Sequence, residues 1–535
     1  MKKNTRYNVI IALTYSVTLI GGMFFGYKFL KDQGYHIEKP KVNTYAFTES
    51  EKREEIMHII NKNYVDEINA DSLNHLPIDS LLHRLDPHSM YLPPVKAQEL
   101  AEALDGNFEG IGIEYYILND TLLVTNVVKD GPAFLAGLKR GDKILKVDTI
   151  QVSGRTLPRD QMIGKIKGKK GTSVKLTILH AGDLRTDIVS VKRGNVKVSS
   201  IDVAYMLNPE TAYIRISKFG ANTDKDFTES VRLLKERGME KLVLDLRDNG
   251  GGYLTAATGL ANQLFEENKL IVYTEGKHEP RMDYVATGGG VFENGKLAVL
   301  INENSASASE ILAGAVQDLD RGVIIGRRSY GKGLVQEQFP FEDGSALNLT
   351  IARYYTPLGR SIQKSYKDGY AAYAHELDER SVDDLANSIK ADSTDKRLSY
   401  VTASGKKVFA GGGIRPDIYV KPDTLGVNKL YAMLLNKKVM VDYVFDVLAH
   451  RYAAAFLEKN LPIFSITSTD YKDFVRYAAQ NKKILIDPVQ LNEAKPIISN
   501  DLKVLLYRYH LGDAGYYKAI NMSDLAVKQA LSSLQ

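Results

Sequence analysis

Apolar and polar positions along this 535-residue chain change rhythm several times. The first is an unbroken apolar run. Val9 to Tyr27 carries no charge over 19 residues and follows Lys2, Lys3 and Arg6. As a helix it is roughly 28 Å long, enough to span a hydrocarbon core. A polar stretch, 28–47, follows and predicts a linker. Over 48–105 the spacing turns helical at Ile56, Ile59 and Ile60, then at Leu81, Leu82 and Leu85. That region runs into the helix-stopping prolines of "DPHSMYLPP" (86–94). From 106 to 195 alternation takes over, and "FEGIGIEYYILNDTLLVTNVV" (108–128) predicts two strands joined at Asn-Asp. From 196 to 425 strands such as "KLVLDLR", "KLAVLIN" and "GVIIG" alternate with amphipathic runs. These include "TDKDFTESVRLLKERG", closed by Gly238, and "EILAGAVQDL", with Ile311, Leu312, Ala315 and Leu319 on one face. This alternation predicts an α/β layer of helices packed on a sheet. A charged insert, 364–405, reads as loop, and residues 426–535 read as a mostly helical extension.

Composition narrows the function. Hydrophobic content of 44% and charged content of 25% are ordinary for globular protein. A net charge of +5, with no basic tract beyond the first residues, disfavours a nucleic-acid partner. The absence of cysteine excludes disulfides, thiolate metal sites and a cysteine nucleophile. The basic flank before the apolar run keeps the extreme N-terminus cytoplasmic and sends the rest of the chain across the membrane. No A-x-A cleavage site or lipobox cysteine follows, so an uncleaved anchor is favoured over a signal peptide.

Candidate chemistry centres on "NENSASASEI" (302–311). Ser307 and Glu310 fit the S-x-x-E capping box. Strand, tight turn and serine at a helix start is also how a nucleophile is presented, with the next N–H aimed at a developing oxyanion. The decision needs a base. Ten histidines occur, but none between His278 and His375. "RDNGGG" lacks the serine of a trypsin-type G-x-S-G-G turn. Lys332, in "SYGKGLVQEQF", lies after a strand and between two glycines, where backbone can pack around it. Lysine is a base only when desolvation lowers its pKa. Gln336, at i+4, can orient the amine without reprotonating it as a carboxylate would. No carboxylate is strongly placed as base.

Two resemblances organise these observations. "GPAFLAGLKRGDKIL" followed by "VDTIQVSG" is similar to a PDZ domain of the bacterial protease type. That likeness implies that Gly110, Ile111, Gly112 and Ile113, in "EGIGI", bind a peptide carboxylate through backbone N–H groups beside an open strand edge. "SASASEILAGAVQDLDRGVIIGRRSYGKGLVQ" resembles the core of the carboxyl-terminal processing peptidases, or tail-specific proteases. "LDLRDNGGG", "RYYTPLGRSIQ", "GGGIRPD" and "DPHSMY" are further family marks, in the family's order over roughly 48–422. The family implies Ser307 as nucleophile, Lys332 as base 25 residues on, and Gln336 as the residue orienting it. Its fold is a crotonase-like α/β core with an inserted PDZ domain, flanked here by an N-terminal helical segment and the C-terminal helical extension. Ala308 is a plausible oxyanion donor, with Gly251 or Gly252 as the second. Ser305 and Ser309 are assigned to turn and helix. No metal or cofactor is expected. The expected partners are protein or peptide substrates with free C-termini, and the membrane through the N-terminal segment. The expected product is a periplasmic-side serine endopeptidase, and an oligomer is possible. The alternatives are a non-catalytic PDZ scaffold and a Ser-His-Asp PDZ protease.

Overall fold

The computed structural model describes residues 49–69, 73, 76–154, 159–181, 185–380 and 399–535. Contacts divide the chain into residues 1–52 and 53–535. Of the first unit only residues 49–52 are described, as the first turn of helix α1 (Glu49–Asn63). The apolar run at 9–27 and the linker after it lie outside the described residues. Among the described residues no helix is long and apolar enough to cross a membrane.

Ile56 and Ile60 of α1 are buried with Leu81 and Leu82 of α2 (Ile78–Leu85). β1 (Met90–Leu92) and α3 (Pro94–Asp105) follow, and α3 opens on a proline whose missing N–H is not needed there. The alternating region forms β2 (Asn107–Gly110), β3 (Ile113–Leu118), β4 (Thr121–Val127), α4 (Pro132–Leu135), β5 (Lys143–Val147), β6 (Ile150–Gln151), α5 (Arg159–Ile166), β7 (Ser173–Leu179), β8 (Thr186–Lys192) and β9 (Gly194–Lys197). Asn119 and Asp120 take φ of 46° and 58°, which a two-residue hairpin turn requires. The sheet order β3-β4-β5-β7-β8, with β6 on β5, leaves β3 at an edge. β2 and β9 pair as a separate ribbon carrying the chain into and out of this unit.

The α/β layer comprises β10 (Ile201–Met206), β11 (Thr211–Ile216), α6 (Thr223–Lys235), β12 (Lys241–Asp245), α7 (Leu254–Asn262), β13 (Leu270–Glu275), β14 (Met282–Val285), β15 (Lys296–Ile301), α8 (Ala308–Asp318), β16 (Val323–Gly326), β17 (Leu334–Pro340), β18 (Ala346–Tyr355), α9 (Tyr370–Glu379), β19 (Ser399–Val401), β20 (Lys407–Phe409) and β21 (Ile418–Tyr419). Its main sheet runs β10-β11-β12-β15-β16-β21 and is parallel from β11 onward. A second sheet runs β1-β18-β13-β14, with β17 also on β18. Side chains alternate along each strand, so Leu242 and Leu244 meet α6, α7 and α8 while Val243 faces the opposite layer.

That opposite layer is closed by the C-terminal extension, which forms α10 (Lys429–Asn436), α11 (Val439–Asp446), a short 3-10 turn (Leu448–Arg451), α12 (Ala454–Asn460), α13 (Ser468–Gln480), α14 (Pro488–Asn521) and α15 (Leu525–Ser533). Ala526, Val527 and Ala530 of α15 pack with Val243 and Leu300. The other helices share a core with Leu118 and Leu123 of the β-rich unit. α14 breaks at Gly512 (φ 66°, ψ −154°), where Arg140 donates to the His510 carbonyl at 3.1 Å.

The α8 face expected to be apolar is in the core, with Ile311, Leu312 and Ala315 buried and Leu319 packed against them, and the helix is enclosed from Ala308 to Asp318. It is enclosed because Ile414 and Thr356 reach Gly314 on the side away from the sheet. The insert is loop only in part. Part of its charge is paired: Glu376 of α9 accepts from Arg328, Lys364 and Arg380. Residues 381–398 lie outside the described residues.

Candidate active site

The turn after β15 is pinned before the chain reaches α8. The Ser305 hydroxyl accepts from the Asn302 N–H at 2.9 Å and donates to the Leu246 carbonyl at 2.8 Å. The Ala306 N–H and the Ser309 hydroxyl both donate to the Asn249 carbonyl, at 3.0 and 2.9 Å. The serine turn is thereby sewn to the glycine turn "NGGG" (249–252) that follows β12. Ser305 and Ser309 are fully buried in these bonds. Ser307 instead opens onto a cavity, with φ 54° and ψ −115°, outside the regions L-residues favour. Such strain persists where surrounding structure over-determines it, and it concentrates at functional sites.

Glu310 supplies much of that determination. Its carboxylate accepts from the N–H groups of Ser307 (2.8 Å), Gly331 (2.7 Å) and Lys332 (2.9 Å) and from the Ser329 hydroxyl (2.5 Å). Complete burial pushes its pKa up to about 7, opposed by these four donors. On the other side the Tyr354 hydroxyl meets the carbonyls of Lys332 (2.5 Å) and Ser307 (3.2 Å). Residues 25 apart in the chain are thus held backbone to backbone from two directions.

Lys332 keeps part of its surface open to the cavity, yet its amine is surrounded by protein. Desolvation pulls its pKa down to about 8, against the nearby carboxylates of Asp86 and Glu310. Gly331 takes φ 92°, and a Cβ there would lie 3.0 Å from the Gly412–Gly413 backbone. Gln336 follows on β17 and donates from Nε2 to the Thr350 hydroxyl at 3.3 Å. Ser307, Lys332 and Gln336 line one cavity of about 380 Å³ whose apolar wall includes Leu100, Leu104, Leu254 and Ile311.

The expected oxyanion groups also border this cavity. Gly251 (φ 101°) packs so closely that a Cβ would lie 2.8 Å from that of Ser307. Its N–H is committed, however: it donates to Asn249 Oδ1 at 2.9 Å, an amide folded back over two residues. The Gly251 N–H is thus already engaged, while Gly252 and Ala308 remain candidates. Gly252 cannot carry a side chain, since a Cβ would fall 2.1 Å from the Phe219 carbonyl oxygen.

The four residues of the EGIGI loop separate. Gly110 ends β2 and pairs with Gly194, and Ile111 is buried. The carbonyls of Ile111 and Gly112 accept from Ala133 and Val128, at 2.8 and 3.0 Å. N–H and C=O point opposite ways in a trans peptide plane, so the N–H groups of Gly112 and Ile113 face away from that packing.

His88 is the histidine drawn toward this site. Its Nε2 shares a hydrogen bond with the Tyr373 hydroxyl at 2.8 Å, and burial, then Lys332 and Lys364, lower its pKa to about 3. Asn249, Tyr354, Asp86, Thr350 and the reach of Glu310 to the Lys332 loop were all invisible to spacing. Only the S-x-x-E pattern hinted at Glu310, and it pointed to a cap alone.

Comparison with known proteins agrees with these elements. Residues 210–369 match Peptidase family S41 and residues 110–192 match the PDZ domain. A "Probable CtpA-like serine protease" of Staphylococcus aureus (strain MRSA252) is 33% identical over 315 residues, 58% of this chain and 62% of that protein. A "Carboxy-terminal-processing protease" of Bartonella bacilliformis is 36% identical over 290 residues, 54% of this chain and 66% of that protein. Among solved structures, a photosystem II D1 C-terminal processing protease is 26% identical, covering 71% of this chain and 95% of its own, with a TM-score of 0.38. The chain spans somewhat less than two thirds of the length of these curated relatives. Its fold and motifs define an α/β peptidase core carrying a PDZ domain. Residues 210–369 are thus similar to Peptidase family S41, and the chain resembles proteins described as CtpA-like and carboxy-terminal-processing proteases.

Proposed function

We propose that this protein is a serine endopeptidase that cuts protein substrates in or near their C-terminal tails through a Ser307–Lys332 dyad. The observation that carries the reading is a strained serine at a helix start sharing one cavity with a desolvated lysine. Neutral Lys332 takes the Ser307 hydroxyl proton and the alkoxide attacks the substrate carbonyl. The Ala308 and Gly252 N–H groups stabilise the oxyanion, helped by the α8 dipole. The lysine then gives its proton to the departing amine, and water releases the acyl-enzyme by the same route. Gln336 orients the amine.

Substrate capture is assigned to the PDZ unit. A free carboxylate meets the N–H groups of Gly112 and Ile113, and the tail adds a strand to the open edge of β3. The charged-then-apolar N-terminus supports membrane anchorage with the catalytic part outside the cytoplasm. A non-catalytic scaffold has no use for a buried amine, whose desolvation is costly. A Ser-His-Asp mechanism would fall to His88, which is too weakly basic to serve. The test is a fluorophosphonate probe followed by mass spectrometry of the adduct. Labelling at Ser307 that is lost in Lys332→Ala supports the dyad, and labelling elsewhere, or none, rejects it.

A further inference from the structure

Gln336 can help or hinder a neutral lysine, depending on which end of its amide faces the amine. The oxygen accepts an amine N–H and leaves the lone pair free for the serine proton. The nitrogen would donate into that lone pair and consume the base. Nothing in the Gln336 side chain itself chooses between the two.

The choice is made one layer behind it. Asp86, between α2 and β1, is buried beside the Tyr64 hydroxyl, and four further donors converge on its carboxylate. They are the His88 N–H (2.8 Å), the Ser89 N–H (2.9 Å), the Ser89 hydroxyl (2.6 Å) and the Thr350 hydroxyl (3.0 Å). A carboxylate only accepts. The single hydroxyl proton of Thr350 is therefore spent on Asp86, and its oxygen can only accept from the other side. Thr350 is itself held, fully buried in β18, with its N–H donating to the Ser89 hydroxyl at 3.1 Å. The group it accepts from is Gln336 Nε2, at 3.3 Å. We propose that Asp86 and Thr350 are positioning residues that fix the orientation of the Gln336 amide, so that it turns its oxygen and not its nitrogen to Lys332. The proposal rests on the dyad reading and assigns a chemical task to the Asp86 and Ser89 positions of "DPHSMY".

Three variants of the full chain test it, with β-casein as substrate and a thermal melt as the folding control. Thr350→Val removes the acceptor and should lower kcat about tenfold, the order of one buried hydrogen bond, with KM within about twofold. Thr350→Ser keeps the hydroxyl and should restore the rate. Asp86→Asn can donate to Thr350 and so reverse the chain of donors, turning the amide over. Its kcat should fall to that of Gln336→Ala. Asp86, Glu310, His88 and Tyr354 are titratable groups that face Lys332 among the described residues. Losing the Asp86 charge should move the acid limb of its residual activity to lower pH. The decisive measurement is the double variant. Thr350→Val should cost nothing further in a Gln336→Ala background, because it acts through that side chain. Wild-type kcat in folded Thr350→Val, or a loss that adds to that of Gln336→Ala, overturns the proposal. Should Asp86→Asn fail to fold, the Thr350 pair and the double variant still decide. Lys332→Ala separates the two readings: if it stays active, the dyad and the amide proposal fall together. If it is dead and Thr350→Val is not impaired, only the amide proposal falls.

Discussion

Under the proposed function two glycine turns offer backbone N–H groups to an anion, and they are held in different ways. The NGGG turn at 249–252 is locked by buried side chains. Asn249 bonds the Ile216 carbonyl and the Gly251 N–H through its side chain, while its own carbonyl anchors Ala306 and Ser309. The EGIGI loop at 109–113 is held by backbone bonds to Ala133 and Val128 and by the packing of Ile111. On that reading the first would face a charge that exists only in a transition state, where small misplacement is expensive. The second would face a ground-state carboxylate, and many tails would have to fit it. Under the proposed function, damage at the first should appear in kcat and damage at the second in KM.

The largest effect should come from Ser307→Ala. We expect proteolysis to fall by roughly 10⁵-fold, the scale of a lost nucleophile. The fold should survive, because the hydroxyl serves the turn only as a cap of α8, worth about 1 kcal/mol. A folded Ser307→Ala protein with near-normal casein cleavage would remove the core from the comparison altogether.

Lys332→Arg should be as inactive as Lys332→Ala, since a guanidinium does not deprotonate near neutral pH. In the wild type the base must be neutral, so kcat/KM should rise with pH and level off above about 8. Gln336→Glu adds a negative charge beside the amine, raises its pKa and should move that limb to higher pH. A rate profile flat from pH 5 to 9 is the result that contradicts a lysine base.

Glu310→Ala leaves the N–H groups of Ser307, Gly331 and Lys332 without their common acceptor. Urea denaturation should show a loss of about 3 kcal/mol, with activity lost in parallel. A variant that keeps both would mean the serine and lysine segments hold their register without it.

The smallest effects should sit at the PDZ loop. Amidating a substrate's C-terminus removes the charge that the loop would bind under the proposed function. It should lower kcat/KM about tenfold for tailed substrates and leave kcat unchanged. Gly112→Ala, at φ 78° and with a Cβ 3.2 Å from the Val196 methyls, should do the same. Gly252→Ala in the core should instead abolish kcat. Equal effects of the two glycine substitutions on kcat would erase the distinction between the turns.

Periodicity and turn chemistry carried the local structure. The hairpin at Asn119-Asp120, the stop at Gly238 and the buried strand before Ser307 all follow from rules acting over a few residues, and the sequence could be read for them directly. The motif order likewise pointed to the likeness with Peptidase family S41, and the 25-residue spacing singled out Ser307 and Lys332 as candidates. What tertiary structure alone decided involves partners distant in the chain. Glu310 became a link to the Lys332 loop, and Glu376 of α9 became the common partner of three cations. The Gly251 N–H was claimed by Asn249, and α15 was laid over the far face of the main sheet. Asp86 reached Thr350 across more than 260 residues. Spacing cannot reveal such pairings, because a hydrogen-bonding side chain has the same local signature whether it meets water or a buried partner. Only the packed fold determines which, and with it the basicity of Lys332.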